Sequence, residues 1–220
     1  MAPKILNSFQ QNFIKLFAKN RYFKSRFYLT GGTALAAYYL HHRYSEDLDF
    51  FSFKEVDLLE LDAFLQEIKA PLKITKTDFQ QTFNRNIFFL HAKKKILKIE
   101  FTYFPFEQIE KPVTKDGILI DSIIDMATNK TFTIFQNPRA RDFIDLYFIL
   151  KKYKNFSLPK LVKMARSKFD SQIDPIQLGT QLLKAKEIQD LPRMLKKINH
   201  SQWRAFFTNQ AKSLSSQIFK

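Results

Sequence analysis

The stretch that decides the fold reads Leu29-Thr30-Gly31-Gly32-Thr33-Ala34-Leu35-Ala36-Ala37-Tyr38-Tyr39-Leu40-His41-His42-Arg43-Tyr44-Ser45-Glu46-Asp47-Leu48-Asp49-Phe50-Phe51. The apolar run from Phe27 to Thr30 reads as a short strand. Gly31-Gly32 breaks it, and Thr33 opens a helix with Leu35, Ala36, Tyr39 and Leu40 on one side, ending near His42-Arg43. Glycines let the backbone approach a ligand closely, and the free N–H groups at a helix start attract anions. Asp47 to Phe51 then alternates acidic and apolar residues, the pattern of a second strand. Asp47 and Asp49, two apart, project from one face of it. Carboxylates that close repel unless a cation lies between them, and hard divalent cations take oxygen ligands of this kind. Each feature alone is common, since Gly-Gly makes tight turns and Asp-x-Asp decorates solvated strands. Their succession is what points to a phosphate and metal site.

Outward from this segment, Ile5 to Lys19 reads as an amphipathic helix, and Val56 to Lys69 as another, stopped by Pro71. Strands are expected over Leu72–Thr77, Asn86–Ala92 and Ile96–Tyr103, with a turn at Lys93-Lys94-Lys95. On the last strand Lys98, Glu100 and Thr102 share one face, and Leu97, Ile99 and Phe101 the other. Pro105 and Pro112 mark loops. From Asp121 onward only helices are expected: Asp121–Phe135, Arg139–Tyr153, Leu158–Phe169, Pro175–Ile188 and His200–Ile218. The predicted fold class is α+β. A mixed-sheet lobe over residues 1–115 is followed by a basic, all-helical lobe over residues 116–220 that completes a cleft.

Glu100 shares its face with Lys98 and Thr102, as a solvated strand face would, but the functional reading is favoured, because a third carboxylate is what a two-metal phosphoryl-transfer site requires. In the helical part, Asp142 and Asp145 are neighbours at i, i+3 with Arg139 and Arg141 nearby. Standing alone, that segment reads as a salt-bridged helix face.

The 220 residues include 45% hydrophobic side chains, enough for a packed core or two lobes. The absence of cysteine excludes disulfide scaffolds, Cys-zinc and iron–sulfur sites, and thiol catalysis. The four histidines have no paired ligand spacing. No signal peptide is read at the N-terminus, and the longest uncharged stretch, Phe27–His42, is too short and polar to span a bilayer. A cytoplasmic location and no membrane partner are expected. The net charge of +15 is uneven: Lys151–Lys220 holds 15 basic and 4 acidic residues, a net of +11. Such a tail suits a polyanion, most commonly nucleic acid. The 25 phenylalanines and many lysines also match what AT-rich codons produce.

Taken together these residues resemble the AbiEii-type nucleotidyltransferase toxins, within the DNA polymerase β-like superfamily. The resemblance rests on Gly31-Gly32-Thr33-Ala34-Leu35, on His42-Arg43-x-Ser45-x-Asp47-Leu48-Asp49-Phe50-Phe51, on Lys98-Ile99-Glu100-Phe101, on Lys130, and on Arg139-x-Arg141-Asp142-Phe143-Ile144-Asp145-Leu146-Tyr147. It covers roughly residues 26 to 150. Glu100 stands where relatives often have Asp. Lys130 sits in Thr-Asn-Lys-Thr-Phe rather than before small residues.

The resemblance implies transfer of NMP from an NTP to an acceptor, with pyrophosphate released. Asp47, Asp49 and Glu100 would hold Mg²⁺ or Mn²⁺. Gly31, Gly32, Thr33 and Ser45 would cradle the triphosphate, and Lys130 would neutralise it. Asp142 and Asp145 would face the cleft, with Asp145 the functional one, and Arg141 would pair with one of them or bind phosphate. Arg43 would brace the loop before the acids. Some relatives modify the 3′ end of tRNA and some act on protein; the basic tail favours an RNA acceptor. A cognate antitoxin partner is implied by the family alone. The alternatives are a small-molecule or protein hydroxyl as acceptor, or a non-catalytic nucleic-acid-binding module on the same fold.

Overall fold

The computed structural model describes residues 5–214. The chain divides into two compact units, one built from residues 1–39 and 45–122, the other from residues 40–44 and 123–220. The expected boundary at residue 115 falls inside a β-hairpin of the first unit; the chain visits the second unit briefly at residues 40–44 and passes to it finally after Ser122.

The first unit holds helices α1 (Ser8–Lys19), α2 (Arg21–Arg26), α3 (Gly31–Leu35) and α4 (Leu58–Lys69). Its strands are β1 (Tyr28–Thr30), β2 (Leu48–Ser52), β3 (Lys76–Thr82), β4 (Arg85–Ala92), β5 (Lys95–Tyr103), β6 (Val113–Lys115) and β7 (Ile118–Ile120). They form one mixed sheet in the order β3-β4-β5-β2-β1-β7-β6. β1 runs antiparallel to β2 and parallel to β7, while β2 and β5 are parallel.

Period-two patterning sends Phe50 of β2 and Phe101 of β5 to one face, where their rings stack at 5.4 Å. Phe17 of α1 stacks on Phe50 at 4.3 Å, and Phe64 of α4 meets Phe13 edge-on at 5.9 Å. All five rings are buried. This aromatic layer, packed as offset and edge-to-face pairs, is the core of the unit. It leaves the opposite face of β2 and β5 to the acids. Asn7 caps α1 by accepting from the Phe9 and Gln10 amides, while Gln10 returns a bond to the Asn7 amide, a capping box.

Three local readings change. The strand expected over Leu72–Thr77 lies instead at Lys76–Thr82, while Leu72 and Ile74 are buried in the turn after α4. β3 is an edge strand exposed along almost its whole length, so it lacks the alternation that betrays a half-buried strand. The β6–β7 hairpin was not expected. Its two-residue Asp116-Gly117 turn has positive φ at both positions, the geometry that Asp-Gly favours. The helix expected from Thr33 begins at Gly31 and passes at Ala36–Leu40 into a π-helical turn.

The second unit is helical: α5 (Ile123–Gln136), α6 (Ala140–Lys152), α7 (Leu158–Phe169), α8 (Pro175–Leu183) and α9 (His200–Ser213). The part of the last predicted helix beyond residue 214 lies outside the described residues. Ser157 and Asp174 cap α7 and α8 by accepting from Lys160 and Gln177 amides, with a proline in each first turn. Phe143, Trp203 and Phe207 pack together, and Phe132 stacks on Phe169 at 4.0 Å. Trp203 and Phe207 are fully buried core residues of this unit. Residues 40–44 join this unit through the Arg43–Met194 bridge and the bonds of the Leu195 and Lys196 amides to the His42 carbonyl. Among the described residues no helix is long and apolar enough to cross a membrane.

Candidate active site

In the first unit, Thr30 pairs with Asp49 across β1 and β2, and Asp49 pairs with Glu100 across β2 and β5. Register partners project from the same face, so Asp49 and Glu100 stand side by side on the side away from the aromatic core. Asp47, two residues earlier, precedes the strand on the same side. Gly31 has φ +72°, and a Cβ there would run into the Asp49 carboxylate. The strand-to-helix turn thus comes into direct contact with the acid, which only glycine allows.

The Thr33 hydroxyl donates to the Asp47 carbonyl oxygen, and Thr33 is fully buried. Its side chain tethers the loop that carries Asp47; it does not line an open phosphate cradle as expected. The Gln10 side chain donates to the carbonyls of Ser45 and Glu46 at 3.3 and 3.0 Å, holding the same loop from α1.

Two cations meet these acids. Lys98 Nζ lies 3.0 Å from Asp47 Oδ2. Arg85 grips Glu100 bidentately, Nε to Oε1 at 2.6 Å and Nη2 to Oε2 at 2.5 Å, and the Thr102 hydroxyl donates to Oε1 at 2.8 Å. Burial by itself would raise the Glu100 pKa. The Arg85 and Thr102 hydrogen bonds outweigh it and hold the carboxyl below its ordinary value, hence ionised at neutral pH. On the β1 side, buried Asp121 accepts from the Thr30 hydroxyl at 2.7 Å and the Gln108 amide at 2.9 Å, fixing the strand end next to Asp49.

The second unit contains a separate ionic cluster. Asp145 accepts from Arg43 Nε and Nη2 at 2.7 and 2.8 Å, and from His42 Nε2 at 2.8 Å. Lys130 Nζ bridges Asp145 at 2.8 Å and Asp142 at 2.6 Å. Arg139 completes it on Asp142 at 3.0 Å. Both carboxylates are buried, so neither presents a free oxygen to an open cleft. Desolvation opposes their charge, but Lys130 and Arg43 at Asp145, and Lys130 and Arg139 at Asp142, hold both pKa values below the carboxylate range. Arg139, not Arg141, is the arginine that pairs here. Arg43 ties its own segment, residues 40–44, to α6 by this bidentate grip.

Compared with known proteins, the chain matches the family model "Nucleotidyl transferase AbiEii toxin, Type IV TA system" over residues 15–217. The chain belongs to the AbiEii family. An uncharacterised protein of Aquifex aeolicus, aq_aa25, is 32% identical over 145 residues, covering 65% of this chain and 66%, just under two thirds, of that protein. Among solved structures, JHP933 from Helicobacter pylori superposes with a TM-score of 0.58 at 21% identity, covering 95% of this chain and 90% of its own. The MenT4 nucleotidyltransferase toxin of Mycobacterium tuberculosis gives 0.56 at 16%, covering 94% and 81%. At these identities the structures share the fold.

For this AbiEii chain the donor chemistry of the acid row suits Mg²⁺ or Mn²⁺: three carboxylates of hard oxygen, two of them in strand register. As they stand, no group of three acidic or histidine side chains among the described residues is drawn together tightly enough to hold a metal. Lys98 and Arg85 take up Asp47 and Glu100 instead. Lys98 was read from sequence only as a residue sharing the Glu100 face. Arg85 and Asp121 were missed, because only the β4–β5 register and the β1 strand end bring them to the site. Ser45 and Arg141 are half-buried and make no side-chain hydrogen bond or ion pair among the described residues.

Proposed function

We propose that this chain is a divalent-metal-dependent nucleotidyltransferase that transfers NMP from an NTP to an RNA acceptor, with tRNA 3′ ends the first acceptor to test. The observation that carries this reading is the register of Asp49 against Glu100, on the face opposite the core, with the Gly31 backbone pressed against Asp49. Asp47, Asp49 and Glu100 are the ligands for Mg²⁺ or Mn²⁺. Bound there, the cations would neutralise charge on the attacking and leaving oxygens of an in-line displacement.

The residues of the chain do the rest. Asp49 and Glu100 are presented by rigid strands, which supports positioning to a fraction of an ångström. Glu100, already ionised, accepts the proton of the acceptor hydroxyl as it attacks the α-phosphorus, and pyrophosphate departs. The amides of Gly31 and Gly32 face the polyphosphate, and Ser45 adds a hydroxyl. Thr33 keeps Asp47 in place. Lys130, Asp142 and Asp145 act as a buried ion cluster that positions Arg43, and Arg141 is free to hold an acceptor phosphate.

The net charge of +11 over Lys151–Lys220 supports a polyanionic acceptor. A cognate antitoxin and a cytoplasmic site of action accompany this reading. The test is incubation with each α-³²P-labelled NTP, Mg²⁺ and total tRNA beside Asp49→Ala. Label entering RNA with the wild type, and absent with the variant, supports the reading. Label on protein moves the acceptor, and no NTP binding at all overturns it.

A further inference from the structure

The cations on the acid row are as informative as the acids. Glu100 is anchored: its side chain is 6% exposed, and Thr102 holds it from its own strand. Arg85, which grips it, is 51% exposed. Likewise Lys98 is 31% exposed where it meets Asp47. Glu100 is thus held in the sheet while its cation is half in solvent, whereas Lys98 and Asp47 meet as two partly exposed groups, 31% and 36%. The Lys98–Asp47 pair, partly exposed on both sides, separates at little cost, whereas releasing Arg85 from the buried Glu100 carboxylate costs more and needs a cation in its place. The two cations also reach beyond their direct partners. Lys98 also favours the ionised form of Glu100, and Asp49 favours the charged form of Arg85.

We infer that Lys98 and Arg85 are built-in counter-ions that hold the acid row before metal arrives and are displaced from Asp47 and Glu100 by an incoming divalent cation. This rests on the reading of the three carboxylates as metal ligands. Without a cation, Asp47, Asp49 and Glu100 would repel one another and lose their shared geometry. With Lys98 and Arg85 in place the row keeps its alignment. A dication competes with these monovalent partners, so metal affinity carries the work of displacing them. Lys98 and Arg85 are therefore positioning residues of the free protein.

The experiment uses Mn²⁺ alone, titrated into the full chain and followed by the electron paramagnetic resonance of the free ion. Wild type, Lys98→Met, Lys98→Gln, Lys98→Arg and Asp49→Asn are compared, with circular dichroism confirming that each is folded. Removing the competing charge should tighten Mn²⁺ binding about fivefold in Lys98→Met and in Lys98→Gln. Lys98→Arg, which keeps the charge, should stay within about twofold of wild type. Either uncharged variant suffices if the other folds poorly. Mn²⁺ binding that Asp49→Asn abolishes but the uncharged Lys98 variants leave unchanged or weaken overturns the counter-ion role alone. Absence of Mn²⁺ binding in every protein overturns the metal-ligand reading and the inference with it.

Discussion

Asp49 and Glu100 are register partners on the parallel strands β2 and β5, so two distant chain segments deliver their carboxylates to one face in one row. Hydrogen-bonded strands hold such a pair more rigidly than loops do. The residue against the other side of Asp49 is Gly31, whose missing side chain makes the approach possible.

Gly31→Ala should therefore be doubly harmful. The backbone sits at φ +72°, where a Cβ is strained, and the added carbon would collide with the Asp49 carboxylate. We expect a loss of about 1–3 kcal/mol in stability. Nucleotidyl transfer should fall further than that loss explains, because Asp49 must move. Urea unfolding paired with single-turnover transfer at a temperature where the variant is folded separates the two effects.

Asp145→Asn tests the second unit. The carboxylate is buried with Arg43, His42 and Lys130 on its two oxygens. Halving its acceptors and removing its charge leaves buried cations uncompensated, a change that typically costs about 3–5 kcal/mol. Chemical denaturation should show this as a large drop in midpoint. A variant of unchanged stability with abolished transfer would instead make Asp145 a residue that touches substrate.

Stability should fall on acidification in two stages. Burial pushes the His42 pKa below 6.5, and Arg43 and Lys130 add to this, outweighing the pull of Asp145. The imidazole is therefore neutral in the native protein, with Nε2–H donating to Asp145 Oδ1 and Nδ1 unpartnered. Below about pH 6.5 the unfolded chain takes up a proton that the native state refuses, so stability declines as pH falls. A second decline begins near pH 4, where unfolded Asp and Glu protonate while Asp142, Asp145 and Glu100 resist. Urea midpoints between pH 7.5 and 5 measure the first stage, and His42→Asn should flatten it even though its baseline stability is lower.

Much of the first unit was legible because its signals are local. Gly31-Gly32 between strand and helix, the Asp47/Asp49 alternation and the polar face of β5 each lie within one short window. β3 was misplaced because an exposed edge strand carries no burial pattern. The β6–β7 hairpin had its Asp116-Gly117 signal, but strands of three residues give periodicity nothing to work on. Thr33 looked like a phosphate ligand because its position in the motif is visible and its burial is not. That Asp142 and Asp145 are neighbours with Arg139 close by was readable from helix spacing, yet the Asp145 partners His42 and Arg43 lie about a hundred residues away. Arg85 reaches Glu100 only through sheet register. Local chemistry could be read from the chain; the counter-charges, brought in by tertiary structure, could not.

The most direct test of the account is Asp49→Asn, assayed for labelled NMP transfer and for stability in the same preparation. Asn keeps the shape of Asp49 and removes one of three like charges on the row, so the variant should stay within about 1 kcal/mol of the wild type in stability. Its transfer rate at saturating Mg²⁺ should fall at least about a hundredfold. A folded Asp49→Asn protein that transfers NMP at the wild-type rate would contradict the assignment of chemistry to the Asp49–Glu100 row.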